Sequence, residues 1–77
     1  ISMEKEMKKF AQRLKELRLE KNLSQRELVI NLNNKITQPS IAMWEQGKRI
    51  PSFEAAIILA NFFNVSLDYL AGLVDFK

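Results

Sequence analysis

The side chains best placed to do chemistry lie within residues 24–51 of the 77-residue chain, and they are amides and cations. They are Gln25, Asn33, Asn34, Lys35, Gln38, Gln46, Lys48 and Arg49. A carboxamide donates and accepts hydrogen bonds at once, and a lysine or arginine attracts a phosphate. These side chains therefore favour non-covalent recognition of a polar, anionic partner.

The sequence offers little for catalysis or metal binding. It has no Cys and no His, which removes disulfides, thiolate ligands and the commonest general base and metal ligand. The hydroxyls and carboxylates fall at predicted helix starts and on exposed faces, and no glycine-rich phosphate loop is present. We expect no enzymatic activity, no cofactor, no metal and no small-molecule site in this segment.

Composition and charge fit one globular domain. Hydrophobic residues make up 47% and charged residues 27% of the chain, and the net charge is +3. Residues 1–50 hold 11 Lys and Arg against 6 Asp and Glu, whereas residues 51–77 hold 1 against 3. The basic half is the half with the amides, which favours a phosphate backbone as partner, although a solvated surface explains the asymmetry equally well.

No stretch of the sequence predicts a membrane span. The longest apolar run, residues 55–60, is far shorter than the ~20 residues that a spanning helix needs. The start, Ile1-Ser2-Met3, is interpreted as a cloning scar before a native initiator Met3, with residues 4–77 forming one domain and its short tail. We expect a soluble, cytoplasmic protein without a membrane partner.

Two short capped helices and the turn between them carry the amides. Ser24 with Glu27 three residues later predicts a capping box, so a helix should cover about residues 25–32. Thr37 predicts the start of the next helix, about residues 38–46, whose first turn accommodates Pro39 and which Gly47 ends. This arrangement predicts a helix-turn-helix, the hypothesis being that it binds DNA.

Three further helices complete an all-α, five-helix prediction. An apolar stripe at spacings of three and four predicts a first helix over about residues 4–21, ended by Asn22, with Leu19 off the stripe. Ser52 caps a fourth helix, residues 53–63, that is apolar nearly all round, so it is core or interface. Ser66 caps a fifth, which Gly72 ends; the tail after it could pack back, meet a partner subunit or lead into another domain.

Three segments occur in an order and spacing that resemble the phage-repressor family of helix-turn-helix regulators (Xre, Cro/cI-type): LSQREL, TQPSIAMWEQGKRIPS and LANFFNVSLDYLAG. The likeness covers roughly residues 10–72. It implies a compact domain of the lambda-repressor-like DNA-binding type, with the helix-turn-helix formed by helices 2 and 3. It also implies sequence-specific binding of double-stranded DNA by a regulator, expected to be a repressor, with helix 3 in the major groove.

The resemblance assigns DNA contacts residue by residue. Base-reading positions are Gln38, Pro39, Met43 and Gln46, and Gln46 could contact a phosphate instead of a base. The Gln38 amide can pair with adenine, whereas Pro39 and Met43 can only contact thymine methyl groups, so shape is expected to contribute to readout. Backbone contacts are expected from Gln25, Asn34, Lys35, Ser40, Lys48 and Arg49, with a solvated surface charge as the alternative for each lysine.

The resemblance also implies two structural roles, and the turn before helix 3 departs from the family pattern. Gln25 should contact a phosphate and brace Gln38, and Arg18 with Glu45 should form a salt bridge between helices 1 and 3. In the family the turn usually contains glycine and is two residues shorter. Asparagines with positive φ and a buried Ile36 are expected to keep helix 3 in place.

A homodimer, at least on DNA, is expected to bind a pseudo-palindrome. Its candidate surface is Leu67, Tyr69, Leu70, Leu73, Val74 and Phe76. The alternative hypothesis is a protein-interaction module on the same scaffold, such as an antitoxin that covers a toxin. The apolar residues on the outer face of helix 3 support that alternative.

Overall fold

The computed structural model describes residues 4–77, which form five helices and, within that range, no strand. They are α1 (Glu4–Glu20), α2 (Gln25–Asn31), α3 (Gln38–Glu45), α4 (Phe53–Phe63) and α5 (Leu67–Ala71). The all-α, five-helix prediction is confirmed. The expected cloning scar, residues 1–3, lies outside the described residues. No helix within residues 4–77 has the length and apolar character needed to cross a membrane.

Side-chain caps begin the four later helices, as the sequence predicts. The Ser24 hydroxyl accepts the Glu27 N–H at 3.0 Å, and the Glu27 carboxylate accepts the Ser24 N–H at 2.8 Å, which confirms the capping box. Thr37, Ser52 and Ser66 each accept the N–H three residues further on. These bonds satisfy donors that a helix start otherwise leaves unpaired.

The capping box should give α2 a measurable pH dependence. The Ser24 backbone N–H, hydrogen-bonded to the carboxylate, lowers the pKa of Glu27 below its ordinary value of 4.5. The resulting stabilisation is present above that value and is lost as the pH falls through the lowered pKa of the folded state. We expect Glu27→Gln, which can still accept the bond, to flatten the fall in melting temperature below about pH 4.5. Thermal melts from neutral to acidic pH check this; Glu54→Gln, an exposed glutamate in the first turn of α4, is the control.

The core lies between α1 and the other helices. α1 packs on α3 and α5, α2 packs on α3, and α4 packs on α5. Leu14, Leu28, Ile41, Leu59 and Leu70 are essentially inaccessible to solvent. The single tryptophan, Trp44 of α3, meets the Phe10 ring of α1 edge to face at 6.0 Å between centroids. These contacts fix α3 against α1 and leave the opposite side of α3 outside.

The long turn before α3 adopts the conformation that the asparagines predict. Asn33 and Asn34 have φ of 58° and 60°, and Asn22 has a φ of 59° at the end of α1. Ile36 is buried at 5% exposure in the same core cluster as Leu32. The longer turn is therefore anchored at its end, and α3 starts at Gln38 as expected.

The C-terminal tail packs back onto α1, one of the three possibilities that the sequence leaves open. The buried guanidinium of Arg13 donates to the backbone carbonyls of Tyr69 and Val74 and to the Asp75 carboxylate. It also lies 4.2 Å from the centre of the Tyr69 ring. The Ser66 N–H donates to the Lys77 carbonyl at 3.0 Å. The tail is thus held at both ends.

Two of the dimer candidates belong to the core instead. Tyr69 is 8% exposed and Leu70 is 2% exposed, because α5 turns this side toward α1 and α4. Val74 is half-buried against the same core. The surface of this region is formed by Leu67, Leu73 and Phe76, the last two of them more than 70% exposed. The sequence makes all six residues candidates for a dimer surface, because it does not show which side of so short a helix faces α1 or how the tail after it packs.

Candidate nucleic-acid interface

The two sides of α3 differ as the sequence predicts. Ile41 and Trp44 are buried and hold the helix on the core. Gln38 and Pro39 at the start of α3 and Gln46 after it are exposed, and Met43 is half-buried. Residues 39, 43 and 46 share one side because they are four and seven positions apart. This side offers the Gln46 amide and two apolar residues, Pro39 and Met43, and the exposed Gln38 beside it adds a second amide at the start of the helix.

A buried ion pair joins α1 to the C-terminal end of α3. Arg18 Nε and Nη2 donate to the two carboxylate oxygens of Glu45 at 2.7 and 2.9 Å, and the side chains are only 10% and 6% exposed. Arg18 Nη1 donates to the Leu23 carbonyl at 2.8 Å. The hydrogen bonds to Glu45 raise the pKa of Arg18 above its already high ordinary value, so the guanidinium stays charged. Its bidentate geometry fixes the orientation of α3.

Gln25 is joined to this pair. Its Nε2 donates to Glu45 Oε1 at 3.2 Å, the oxygen that also accepts from Arg18. The resemblance implied a brace from Gln25 to Gln38, and the hydrogen bond that the structure places on this amide goes to Glu45 instead. A carboxamide nitrogen carries two hydrogens, so one N–H remains for a further acceptor. Glu45 therefore positions Gln25 at the start of α2, where the first N–H groups of a helix have no acceptor within the helix.

The expected backbone-contact residues flank α3. Asn34 and Lys35 are exposed in the turn before it, and Lys48 and Arg49 are exposed in the loop after it. Ser40 is half-buried. The Thr37 hydroxyl donates a hydrogen bond of 2.9 Å to the Ser40 hydroxyl oxygen, so the Ser40 hydroxyl hydrogen can still be donated to another acceptor. Within residues 4–77 no ion pair engages Lys35, Lys48 or Arg49. Exposed cations thus lie in the segments before and after α3.

Two structural interactions were not found from the sequence. Arg13 of α1 is buried, although an arginine is expected on the exposed side of an amphipathic helix. A signal was present, since Arg13 lies three residues after Phe10 and four before Leu17 and therefore on their side of the helix. The Gln25–Glu45 hydrogen bond had no such signal, because 20 residues separate the two side chains.

The described residues around α3 present groups suited to recognition. No group of three or more carboxylates among them is placed to hold a metal ion. Every buried side-chain nitrogen or oxygen in the same range has a hydrogen-bond partner. What the face of α3 and its flanking loops present is a set of amides, methyl groups and unpaired cations. Such a set binds a surface that combines anionic groups with hydrogen-bonding and methyl-bearing edges.

Comparison with known proteins also indicates a helix-turn-helix. Residues 14–70 match the family model described as helix-turn-helix. The chain is 38% identical over 61 residues to YqaE of Bacillus subtilis, an uncharacterised HTH-type transcriptional regulator, covering 79% of this chain and 51% of that protein. It is 36% identical over 61 residues to the HTH-type transcriptional activator BcrR of Enterococcus faecalis, covering 79% and 29%.

A third relative is YobD of Bacillus subtilis, also named an uncharacterised HTH-type transcriptional regulator, at 32% identity over 66 residues that cover 86% of this chain and 57% of YobD. The chain thus spans between 29% and 57% of the length of these three relatives. No solved structure matches it at comparable significance.

Proposed function

The chain belongs to the helix-turn-helix family of transcriptional regulators, and from this premise we propose that it binds a specific operator in duplex DNA with α3 in the major groove. The observation that carries the proposal is the exposed side of α3, where Gln38, Pro39, Met43 and Gln46 lie away from the core. A helix fits the major groove of B-DNA, and an amide can pair bidentately with adenine there. Pro39 and Met43 would contact thymine methyl groups.

Phosphate contacts would come from both sides of α3. Lys48 and Arg49 follow the helix, Asn34 and Lys35 precede it, and Gln25 offers its remaining N–H at the start of α2. Ser40 supplies a hydroxyl from the first turn of α3. Such contacts set the register of the protein on the duplex, and base contacts then select the sequence.

We further propose that two copies bind a pseudo-palindromic operator. A two-fold arrangement with recognition helices about 34 Å apart places each in the major groove on one face of the duplex. We propose that the chain acts as a repressor. A protein that occupies an operator overlapping a promoter blocks transcription from that promoter. A reporter gene under the selected operator tests this: expression falls when the protein is supplied, and a rise would instead indicate activation, the function named for the relative from Enterococcus faecalis.

A protein-interaction module is the second candidate function. It is favoured by the apolar groups on the outer side of α3, where Pro39 is exposed and Ala42 and Met43 are half-buried. A toxin or another regulator would then cover this side of the helix. The double variant Gln38→Ala, Met43→Ala distinguishes the two functions. If the chain binds DNA through α3, this variant loses affinity for DNA and remains folded.

In vitro selection from a random duplex library at near-physiological salt tests the DNA-binding proposal. We expect an enriched pseudo-palindrome with half-site centres about 10 base pairs apart. Selection that enriches no sequence over the starting library would overturn the proposal and favour the interaction module.

A salt titration on the selected duplex measures the role of the loop after α3. Each phosphate that a cation neutralises adds about −0.9 to the slope of log affinity against log salt. We expect Lys48→Ala and Arg49→Ala each to reduce the magnitude of the slope by about 1 per bound copy, with affinity falling similarly on specific and non-specific duplexes. Lys15→Ala, on the exposed side of α1, is the matched control and should leave the slope unchanged. Equal slopes for all four proteins would remove this loop from the interface.

A further inference from the structure

An apolar groove of about 390 Å³ lies between the N-terminal half of α1, the start of α4 and α5. Phe10 and Leu70 line it and are almost fully buried. Phe53 and Leu73 also line it, although their side chains are 74% and 72% exposed. The groove does not include the exposed side of α3, so binding of DNA by that side leaves the groove unexplained.

The groove has the size and the lining of a small-molecule site. Ligand cavities in proteins measure about 300–1,000 Å³ and are lined mostly by apolar and aromatic side chains, with a few polar groups that select the ligand. Nine of the ten residues that line this groove are apolar. The sequence does not indicate such a site, because its lining comes from three separate segments of the chain.

The number of lining residues also favours a small molecule over a protein partner. A standard protein–protein interface uses about 20–30 residues on each side. The groove is lined by ten residues, several of them buried below its surface. It therefore encloses a small ligand better than it supports a stable contact with a second protein.

Glu6 is the one charged residue that lines the groove. It is exposed in the first turn of α1, and no ion pair within residues 4–77 engages its carboxylate. Outside the lining both signs occur, since Arg49 precedes the lining residue Ile50 and Glu54 follows Phe53 in the sequence. Any preference of the groove for a charged ligand therefore depends on Glu6, and a carboxylate prefers a cation.

We propose that this groove binds a small apolar molecule that carries one cationic group, such as an arylalkylammonium ion. Its rings would pack on Phe10, Phe53 and Leu73, and its ammonium group would lie beside Glu6. The apolar contacts supply most of the affinity, because an exposed ion pair contributes little in water. The proposal goes beyond DNA binding and does not depend on it.

The tail wall of the groove is already in place in the free protein. Arg13 donates to the carbonyl of Val74 at 2.6 Å and to the Asp75 carboxylate at 3.0 Å, directly after Leu73. Gly72 before it has a φ of 83°, and a side chain at this position would meet Lys9 at 2.8 Å. Because the wall is fixed from both sides, binding of a ligand does not require the tail to be ordered first.

Three probes of nearly the same shape test the class of ligand. 3,3-Diphenylpropylammonium carries the cation, and 3,3-diphenylpropanol and 3,3-diphenylpropanoate are its neutral and anionic counterparts. Titration of the whole ¹⁵N-labelled chain, followed by its amide chemical shifts, measures the affinity and the position of each probe without DNA. For a cation of this size we expect a Kd of about 0.1–1 mM.

Two variants of α1 test the role of charge. Glu6→Gln removes the carboxylate that lines the groove. Glu16→Gln is the matched control, because Glu16 is also an exposed glutamate of α1 and does not line the groove. We expect wild type and Glu16→Gln to bind the cation about 2- to 5-fold more tightly than the alcohol, and the carboxylate more weakly than either. In Glu6→Gln the cation and the alcohol should bind equally.

A second pair of variants tests the apolar walls. Phe53→Ser combined with Leu73→Ser removes two exposed side chains of the lining and should weaken all three probes by at least about fivefold. Leu19→Ser combined with Ile30→Ser is the control, because these side chains are 52% and 59% exposed and lie outside the lining. Thermal melts verify that every variant folds.

Several results would overturn the proposal. They are an absence of shifts at the lining residues up to about 5 mM cation, shifts centred elsewhere in the chain, equal affinity of wild type for all three probes, and a preference for the cation that persists in Glu6→Gln. Affinity for the cation that falls as the protein concentration is raised would also overturn it, since a second copy would then cover the groove. None of these measurements contains DNA, so failure of the DNA-binding function would be seen separately in the selection experiment.

Discussion

Replacing Arg18 with alanine should remove about 3–5 kcal/mol of the free energy of unfolding, because the Glu45 carboxylate is left buried without its counter-charge. A domain of this size has only about 4–12 kcal/mol in total, so much of the protein would unfold near physiological temperature. Affinity for DNA should fall with it, since the lost contacts orient α3 and fix the Glu45 carboxylate, which in turn positions Gln25. Urea unfolding at neutral pH and binding to the selected duplex measure the two effects.

Two further variants separate the buried pair from a general charge effect. Arg26→Ala removes an exposed arginine from α2 and should change stability by less than about 0.5 kcal/mol. Arg18→Met combined with Glu45→Met replaces both charges with apolar groups and should recover much of the loss, as buried pairs often tolerate such replacement. A melting temperature of Arg18→Ala equal to that of wild type would show that the pair contributes nothing to the fold.

Replacing Gln38 with alanine should weaken binding to the selected operator by about 1–3 kcal/mol, which is roughly 5- to 150-fold in Kd. We expect this loss because alanine cannot form the hydrogen bonds with which the Gln38 amide would pair with a base edge. No other amide of α3 lies at that position. Binding to non-specific duplex should change little, since phosphate contacts supply that affinity. Competition between the operator and a duplex with altered base pairs measures the difference.

The thermal stability of this variant should equal that of wild type, because the Gln38 side chain is exposed. Gln12→Ala, on the exposed side of α1, is the matched control and should bind both duplexes as wild type does. An equal loss on specific and non-specific duplex would assign Gln38 to the phosphate backbone, and an unchanged affinity would remove it from the interface.

The features of this fold that the sequence predicts are those determined within one turn of helix. Ser24, Thr37, Ser52 and Ser66 each begin a helix by bonding to an N–H three residues away, so a short window contains both partners. The same holds for the positive φ at Asn33 and Asn34. Spacing also sufficed to separate the two sides of α3, where Ile41 and Trp44 are buried.

The features that the sequence does not predict depend on packing between distant segments. Arg13 bonds to carbonyls more than 50 residues away, and no local pattern names them. The burial of Tyr69 and Leu70 depends on how a helix of 5 residues lies on α1, which its own periodicity is too short to define. Phe53 likewise belongs to an apolar helix, yet α4 leaves its first residue in solvent. The candidate base-reading face was therefore easier to predict than which residues of α4 and α5 are exposed.

The packing of Trp44 gives the protein an internal optical reporter. It is the one tryptophan in the chain, it lies on α3, and its ring meets Phe10 in a buried site. Indole emission responds to solvent, so it follows the seating of α3 on α1 without any attached dye. Because the ring faces away from the proposed DNA contacts, emission that stays constant on adding duplex would indicate that α3 binds as it is already seated. A red shift would instead reveal that this helix lifts from α1 when DNA is bound.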